Sequence, residues 1–226
     1  MRTGWRMFDY HFYWSIVWAK FPMLLDGALL TIQITVLSVV LGLLAAIPLA
    51  LWRRNGKGTL ALFAGAWIES ARNTPALFQI YMAYFGLGAL GLHLSSYTAL
   101  LIAIIFNNAG YLAEVLRGGL EGVAPQQAPA ARSLGMNAFQ SFTYVIFPQL
   151  FRIIFFPFVN QVNWALLNTS LGMMIGLREL TGATQMAQAE SFRTFEFFLV
   201  AAGMYYVIAK IISLGALTAA WRIFRD

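Results

Sequence analysis

Ten polar side chains stand inside stretches that are otherwise apolar: Glu69, Arg72, Asn73, Gln79, Asn107, Asn108, Tyr111, Glu114, Asn160 and Asn163. Charged and amide side chains within apolar stretches are functional candidates by default, because they are costly to place there. They do not make a familiar catalytic centre. The sequence has no cysteine and only two histidines, His11 and His93, and it lacks H-E-x-x-H and Gly-x-Ser-x-Gly. No acid cluster has metal-ligand spacing. Asn107, Tyr111 and Glu114 follow the i, i+4, i+7 spacing of one helical face. Glu69 and Arg72 are three apart and could pair on one face. A structural reading of the same set stands beside the functional reading: Glu69–Arg72 and Glu114–Arg117 as ion pairs, and the asparagines as ties between helices.

The elements that must position these groups are membrane helices. Of 226 residues, 60% are hydrophobic and 11% charged, and the mean hydropathy is +0.68. Soluble domains carry about 25% charged residues. Several apolar runs approach the ~20 residues that a spanning helix needs. The expected fold is therefore all-α and polytopic, with about five transmembrane helices near residues 21–51, 59–88, 97–116, 142–167 and 194–221. Residues 1–20 carry Arg2, Trp5, Arg6, Phe8, Tyr10, Phe12, Tyr13, Trp14 and Trp18. They read as an interfacial segment and not as a cleaved signal peptide. Residues 21–222 form the membrane domain and residues 223–226 a short tail. His93 falls in a loop and Pro75 interrupts the second span. Residues 171–192 read as a short helix or a re-entrant segment.

The net charge is +6, and the cations flank the apolar runs, where they set orientation and do not imply nucleic-acid binding. Five spans put the termini on opposite sides. Arg53, Arg54, Lys57, Arg117, Arg132, Arg152, Arg222 and Arg225 lie on one side, and Arg2, Arg6, Lys20, Arg178 and Arg193 on the other. That bias places the C-terminus in the cytoplasm and the N-terminus outside.

One polar, Gly/Pro-punctuated loop, about residues 118–141, separates the third and fourth spans. Pro129 lacks an amide donor, so a helix here must hold it in the first turn. The N-cap then falls at or after Gln126. Ala130 and Ala131 favour helix, and Gly135 can take the left-handed conformation that ends one. The spacing predicts a short helix from Gln127 to Leu134, with Arg132 as its charged contact.

This loop resembles the EAA loop of permease subunits of binding-protein-dependent ABC importers. Ala130, Ala131 and Gly135 match E-A-A-x-x-x-G, and a following run ends at Pro148. The polar amino-acid branch, which includes histidine, glutamine and glutamate permeases, is similar at further points. Arg72-Asn73-Thr74-Pro75 resembles its arginine-x-threonine-proline signature. Tyr111, Glu114, Arg117 and Gly118 resemble its A-Y-x-x-E-x-x-R-G segment. Asn168-Thr169-Ser170-Leu171 resembles its D-T-S-L segment. The similarity covers about residues 22–222. Pro129 stands at the acidic position of the EAA pattern, Gln126 at the glycine before the family's glutamine, and Leu167 and Asn168 where a lysine and an aspartate usually precede T-S-L.

The resemblance implies a type I ABC importer permease fold with a cytoplasmic coupling helix, in a bacterial inner membrane. Gln127, Pro129, Ala130, Ala131, Arg132, Leu134 and Gly135 would form the ATPase-coupling knob. The ten polar residues would line the pathway of a polar amino acid or related compound, moved inward by alternating access. The chain would hold no cofactor. It has no G-x-x-x-x-G-K-[ST] loop, and ATP and Mg would be bound by a partner ATPase dimer. The other implied partners are a periplasmic substrate-binding protein and a second permease subunit. The departures from the motifs point to a non-identical one. The competing readings are a membrane enzyme and a channel or non-catalytic membrane scaffold.

Overall fold

The computed structural model describes residues 10–224, so Arg2, Trp5, Arg6, Phe8, Arg225 and Asp226 lie outside the described residues. All regular structure among those described is helical. Helix α1 spans Trp14–Asn55, 42 residues, or about 63 Å. It starts seven residues before the expected first span. Packing explains the difference, because Val17 and Leu24 are fully buried against Leu180, Ala183, Ala187 and Phe197. Burial therefore draws part of the interfacial segment into the helix. Gly56, with φ +66°, ends it.

The expected second span is broken. Helix α2 covers Gly58–Asn73, and Thr74 and Pro75 are extended (ψ 144° and 137°). The chain resumes as α3 (Ala76–Tyr81), a π turn over Met82–Gly86 and α4 (Leu87–Ala89). Pro75 has no amide hydrogen and disfavours helix at Thr74, which accounts for the break. Neither half is long enough to cross alone. Four continuous stretches are: Trp14–Arg54, Ser96–Gly122, Ala138–Ile175 and Thr194–Ile223. Four continuous helices and one broken one thus approximate the expected five spans.

Helix α5 (Ser96–Gly122) is the centre of the bundle. Its start is capped by Ser95, whose hydroxyl accepts from the Thr98 amide at 3.1 Å, as N-cap serines do. Its small residues allow close approach. A Cβ on Gly110 would come 2.4 Å from Ala71 Cβ, so α2 and α5 touch nearly backbone to backbone, the usual way of associating helices in lipid. After α5 come α6 (Gln127–Ser133), α7 (Ala138–Ser141), a π turn over Phe142–Ile146, α8 (Phe147–Asn168) and a 3₁₀ stretch, Thr169–Ile175. Gly176 then reverses the chain into α9 (Leu180–Ser191) and α10 (Thr194–Ile223). With 12 residues, α9 is too short to cross a bilayer.

Burial is uneven. In the most apolar stretch of α5, 56% of residues are buried, against 11% in the stretch containing α8 and 11% in α10. Helices α8 and α10 therefore turn most of their surface away from this chain. The start of α10 is held to the N-terminal segment. The buried Glu196 carboxylate accepts from the Tyr10 hydroxyl and from the Tyr13 amide, and it holds the Tyr10 hydroxyl above its usual pKa. The Arg193 guanidinium lies 4.2 Å from the Tyr13 ring centroid.

Candidate functional site

The break at Pro75 explains part of the polar set. In a continuous helix the residue 75 amide would donate to the Ala71 carbonyl, and proline leaves that carbonyl without its partner. Two side chains replace it: Gln79 Nε2 and Asn107 Nδ2 each donate to Ala71 O at 3.0 Å. Gln79 Nε2 also reaches Thr74 O at 3.2 Å, and Asn107 Nδ2 donates to Gln79 Oε1 at 3.0 Å. The Tyr111 hydroxyl donates to Arg72 O at 3.3 Å. These three side chains thus re-satisfy backbone groups freed by the proline, as neighbours must in a membrane. Gln79→Leu is expected to cost about 2 kcal/mol, because Thr74 O loses its side-chain donor and the Asn107 amide loses the Gln79 Oε1 acceptor, while Ala71 O keeps Asn107. A thermal melt of the purified protein checks this, and an unchanged midpoint would count against the repair role.

Asn108 ties three helices. Its Nδ2 donates to Ser38 Oγ at 3.4 Å and its Oδ1 accepts from Gln161 Nε2 at 2.9 Å. Asn163 Nδ2 donates to Ser213 Oγ at 3.2 Å, linking α8 to α10. Asn163 Oδ1 is buried and unpartnered. Asn73 and Asn160 are exposed.

The expected Glu69–Arg72 pair is not formed. Glu69 instead pairs with Arg53 of α1 at 3.0 Å. The Arg53 guanidinium can come so close to α2 because Gly65 leaves it room; a Cβ there would stand 2.4 Å from Arg53 Nη1. Arg72 turns the other way, over α5. Its guanidinium lies 5.7 Å from the Tyr111 ring centroid and 3.8 Å from Glu114 Oε1. The expected Glu114–Arg117 pair does form, with Arg117 Nε 3.0 Å from Glu114 Oε2, and Arg117 continues to Glu121 at 2.5 Å. Arg72, Tyr111 and Glu114 line a cavity of about 300 Å³ with Gly118, Ile153, Ile154 and Pro157. Its charged wall is built by the break in the second span, because α2 ends at Asn73 and leaves Arg72 on its last turn.

The loop helix forms where the proline and glycine place it. α6 runs Gln127–Ser133 with Gln126 as N-cap, Pro129 in its first turn, Leu134 just beyond its last residue and Gly135 at φ +86°. Ala131 is buried while Ala130 and Arg132 are exposed. Leu134 is 81% and Phe139 76% exposed. Arg132 also borders a cavity of about 250 Å³ with Arg54, Val123, Pro125 and Phe142.

Two further charged residues stand outside the ten polar side chains. Glu179 is fully buried and caps α9, accepting from the Thr181 and Gly182 amides at 2.9 and 2.8 Å and from the Tyr205 hydroxyl at 2.8 Å. Lys210 is the 17th of the 30 residues of α10 and exposed. Among the described residues no carboxylate lies within ion-pair distance of it; its neighbour is the Tyr206 ring, 5.5 Å away. A lysine at mid-bilayer costs about 2.5–3.5 kcal/mol, and an exposed cation–π contact returns about 0.5–1 kcal/mol. Its signal was in the sequence, since it is the sole charge between Glu196 and Arg222.

A helical membrane bundle with a charged cavity, a projecting surface helix and two under-buried helices has the build of a membrane transport subunit. The chain belongs to the family of binding-protein-dependent transport system inner membrane components, whose model matches residues 38–222. It is 34% identical over 208 residues to the octopine transport system permease protein of Rhizobium radiobacter, covering 88% of this chain and 85% of that one. It is 31% identical over 204 residues to the glutamine transport system permease protein of Escherichia coli (strain K12), covering 89% and 93%. Among solved structures, an amino acid ABC transporter with histidines matches with a TM-score of 0.87 and 30% identity, over 94% of this chain and all of that one. The chain is accordingly an integral membrane permease subunit of type I importer fold and not an enzyme. In this family the ATPase is a separate subunit.

Proposed function

We propose that this chain is one of two transmembrane subunits of an ATP-driven importer that carries a polar amino acid or related compound from periplasm to cytoplasm by alternating access. The observation that carries the cargo class is the cavity where Arg72 and Glu114 face each other beside Tyr111. Opposite charges on one wall suit a zwitterion, and the volume is of the size of small-ligand sites. The octopine, glutamine and amino acid systems that resemble this chain support the same class.

The remaining partners follow from the family. An ATPase dimer holds ATP and Mg, and α6 transmits its closure to the spans. A periplasmic binding protein delivers the cargo. The second permease is non-identical, a reading supported by Pro129 at the position of the usual acid. The Lys and Arg bias sets the C-terminus in the cytoplasm and the N-terminus in the periplasm. The Asn108 and Gln79–Asn107 ties frame the pathway, and Asn73, Asn160, Asn163 and Glu69 stand along it.

The test is purification with the ATPase, the partner permease and the binding protein, followed by reconstitution. ATPase activity should rise on adding binding protein and cargo. Arg72→Ala should lower uptake about tenfold, as expected for loss of a charge-assisted contact, while the complex still assembles. Conductance by the isolated chain without ATP would overturn the reading.

A further inference from the structure

Lys210 has no role in the site described above, and its position needs a polar neighbour. α10 is about 45 Å long, and Lys210 lies near its middle. Its side chain is too short to reach either interface, so snorkelling does not relieve it. Among the described residues no carboxylate lies within ion-pair distance of Lys210, and all but Asp26 are paired or buried. Glu69 pairs with Arg53, Glu114 with Arg72 and Arg117, Glu121 with Arg117, and Glu190 with Lys20. Glu179 and Glu196 are fully buried and hydrogen-bonded elsewhere. Of the described acids only the exposed Asp26 of α1 is neither in one of these pairs nor buried, so a second copy of this chain would meet Lys210 with a counter-charge only through Asp26.

Around Lys210, α10 meets α8 both through a polar contact and along an apolar groove. Ser213, one turn on, accepts from Asn163. Asn160 is exposed one turn before Asn163, between Pro157, which lines the Arg72 cavity, and Trp164, whose ring lies tilted 5.9 Å from that of Tyr111. Ile208, Ile211 and Ile212 line the groove with Ile32 and Val36 of α1 and Phe158 and Val162 of α8. The groove is the lipid-like side of α10, and the asparagine side leads to the cavity. α8 and α10 run antiparallel, with Asn163 at Ser213 and Phe155 at Phe224, 5.3 Å between rings. This sets Lys210 about 15 Å along the bundle from Pro157, on the side of the N-terminal end of α10.

We propose that Lys210 is a separate carboxylate-binding group of the pathway, which the cargo meets before the Arg72 cavity. The proposal rests on the importer reading and adds to it a second anion contact. The ammonium is held ready by Tyr206, and the Asn163 and Asn160 amides continue the polar track from Lys210 to Arg72. A cation at this depth selects cargo with a free carboxylate over its amide.

Two measurements test this. The chain has no cysteine, so Lys210→Cys in the intact complex carries a single thiol in this subunit. A membrane-impermeant maleimide should label it, while Ile211→Cys on the groove side stays unlabelled. A mixture of L-amino acids should slow the labelling of Lys210→Cys. No labelling at position 210 overturns the proposal, whether or not the complex imports amino acids. In proteoliposomes, Lys210→Gln should lower ATP-driven uptake of a radiolabelled L-amino-acid mixture on the order of tenfold. Lys210→Arg should retain uptake, and the subunit stoichiometry of both variant complexes should not change. Unchanged uptake by Lys210→Gln, or loss of the partner permease from its complex, overturns the proposal. A wild-type complex that labels normally and imports no L-amino acid overturns the importer reading instead, and the carboxylate contact with it.

Discussion

Glu179→Ala is expected to destabilise the chain by about 3 kcal/mol and to lower its melting midpoint by several degrees. Glu179 is fully buried, and its two oxygens accept from two backbone amides of α9 and from Tyr205 of α10. Thr31 of α1 lies 3.5 Å from one oxygen and accepts from the Leu180 amide at 3.2 Å. The residue therefore joins three helices at one point. Loss of a helix N-cap costs about 0.5–2 kcal/mol, and each buried donor left without a partner adds about 1–3 kcal/mol. Tyr205 keeps a second partner in Thr181 Oγ1 at 2.9 Å, so the total stays near the lower sum. Glu179→Gln should fall between, because one amide oxygen still accepts while its nitrogen faces donors. The measurement is thermal unfolding of the purified chain or complex. Equal midpoints for the alanine variant and wild type would show that α9 does not depend on this cap.

The helices were readable from apolar run length, and the loop helix from proline and glycine chemistry. Pro129 tolerates only a first-turn position and Gly135 a turn with positive φ, and both requirements are local. The break at Pro75 was equally local. What the sequence hid depends on residues far apart in the chain. The spacing of Glu69 and Arg72 permits a pair, but Arg53, 16 positions from Glu69, competes for it across Gly65. The i, i+4, i+7 face of Asn107, Tyr111 and Glu114 is real, yet it performs two tasks. Asn107 and Tyr111 repair the broken helix, while Tyr111 and Glu114 also line the cavity. No spacing rule separates these tasks, because the orphaned carbonyls belong to another helix. The early start of α1 depends likewise on α9 and α10 covering Val17 and Leu24. Lys210 needed only a charge count along the last span.

Arg132→Glu should lower ATP-driven uptake by at least about tenfold while leaving insertion and folding intact. The substituted side chain is exposed on a seven-residue helix, where an acid in the last turn opposes the helix dipole by about 0.3–1 kcal/mol. That is too little to unfold the bundle. The segment around it is stiff: the Ser133 hydroxyl returns to Pro129 O at 3.1 Å, and Asn137 and Gln140 form a reciprocal capping box at 2.9 Å. A rigid knob can carry a displacement from an ATPase surface to α5 and α8, which flank it in the chain. Its outward face presents a charge and two large apolar groups, Arg132, Leu134 and Phe139. Reversing the charge replaces a favourable contact with repulsion, and one charge-assisted contact of about 1.5–3 kcal/mol corresponds to at least a tenfold change. Leu134→Asp should act in the same direction through the apolar part of that face. Uptake and cargo-stimulated ATPase activity in proteoliposomes are the readouts, with gel filtration of the complex beside them. If the ATPase remains bound but no longer responds to cargo, the arginine transmits motion. If the ATPase is lost, the arginine secures docking. Normal transport by both variants would remove α6 from the coupling path.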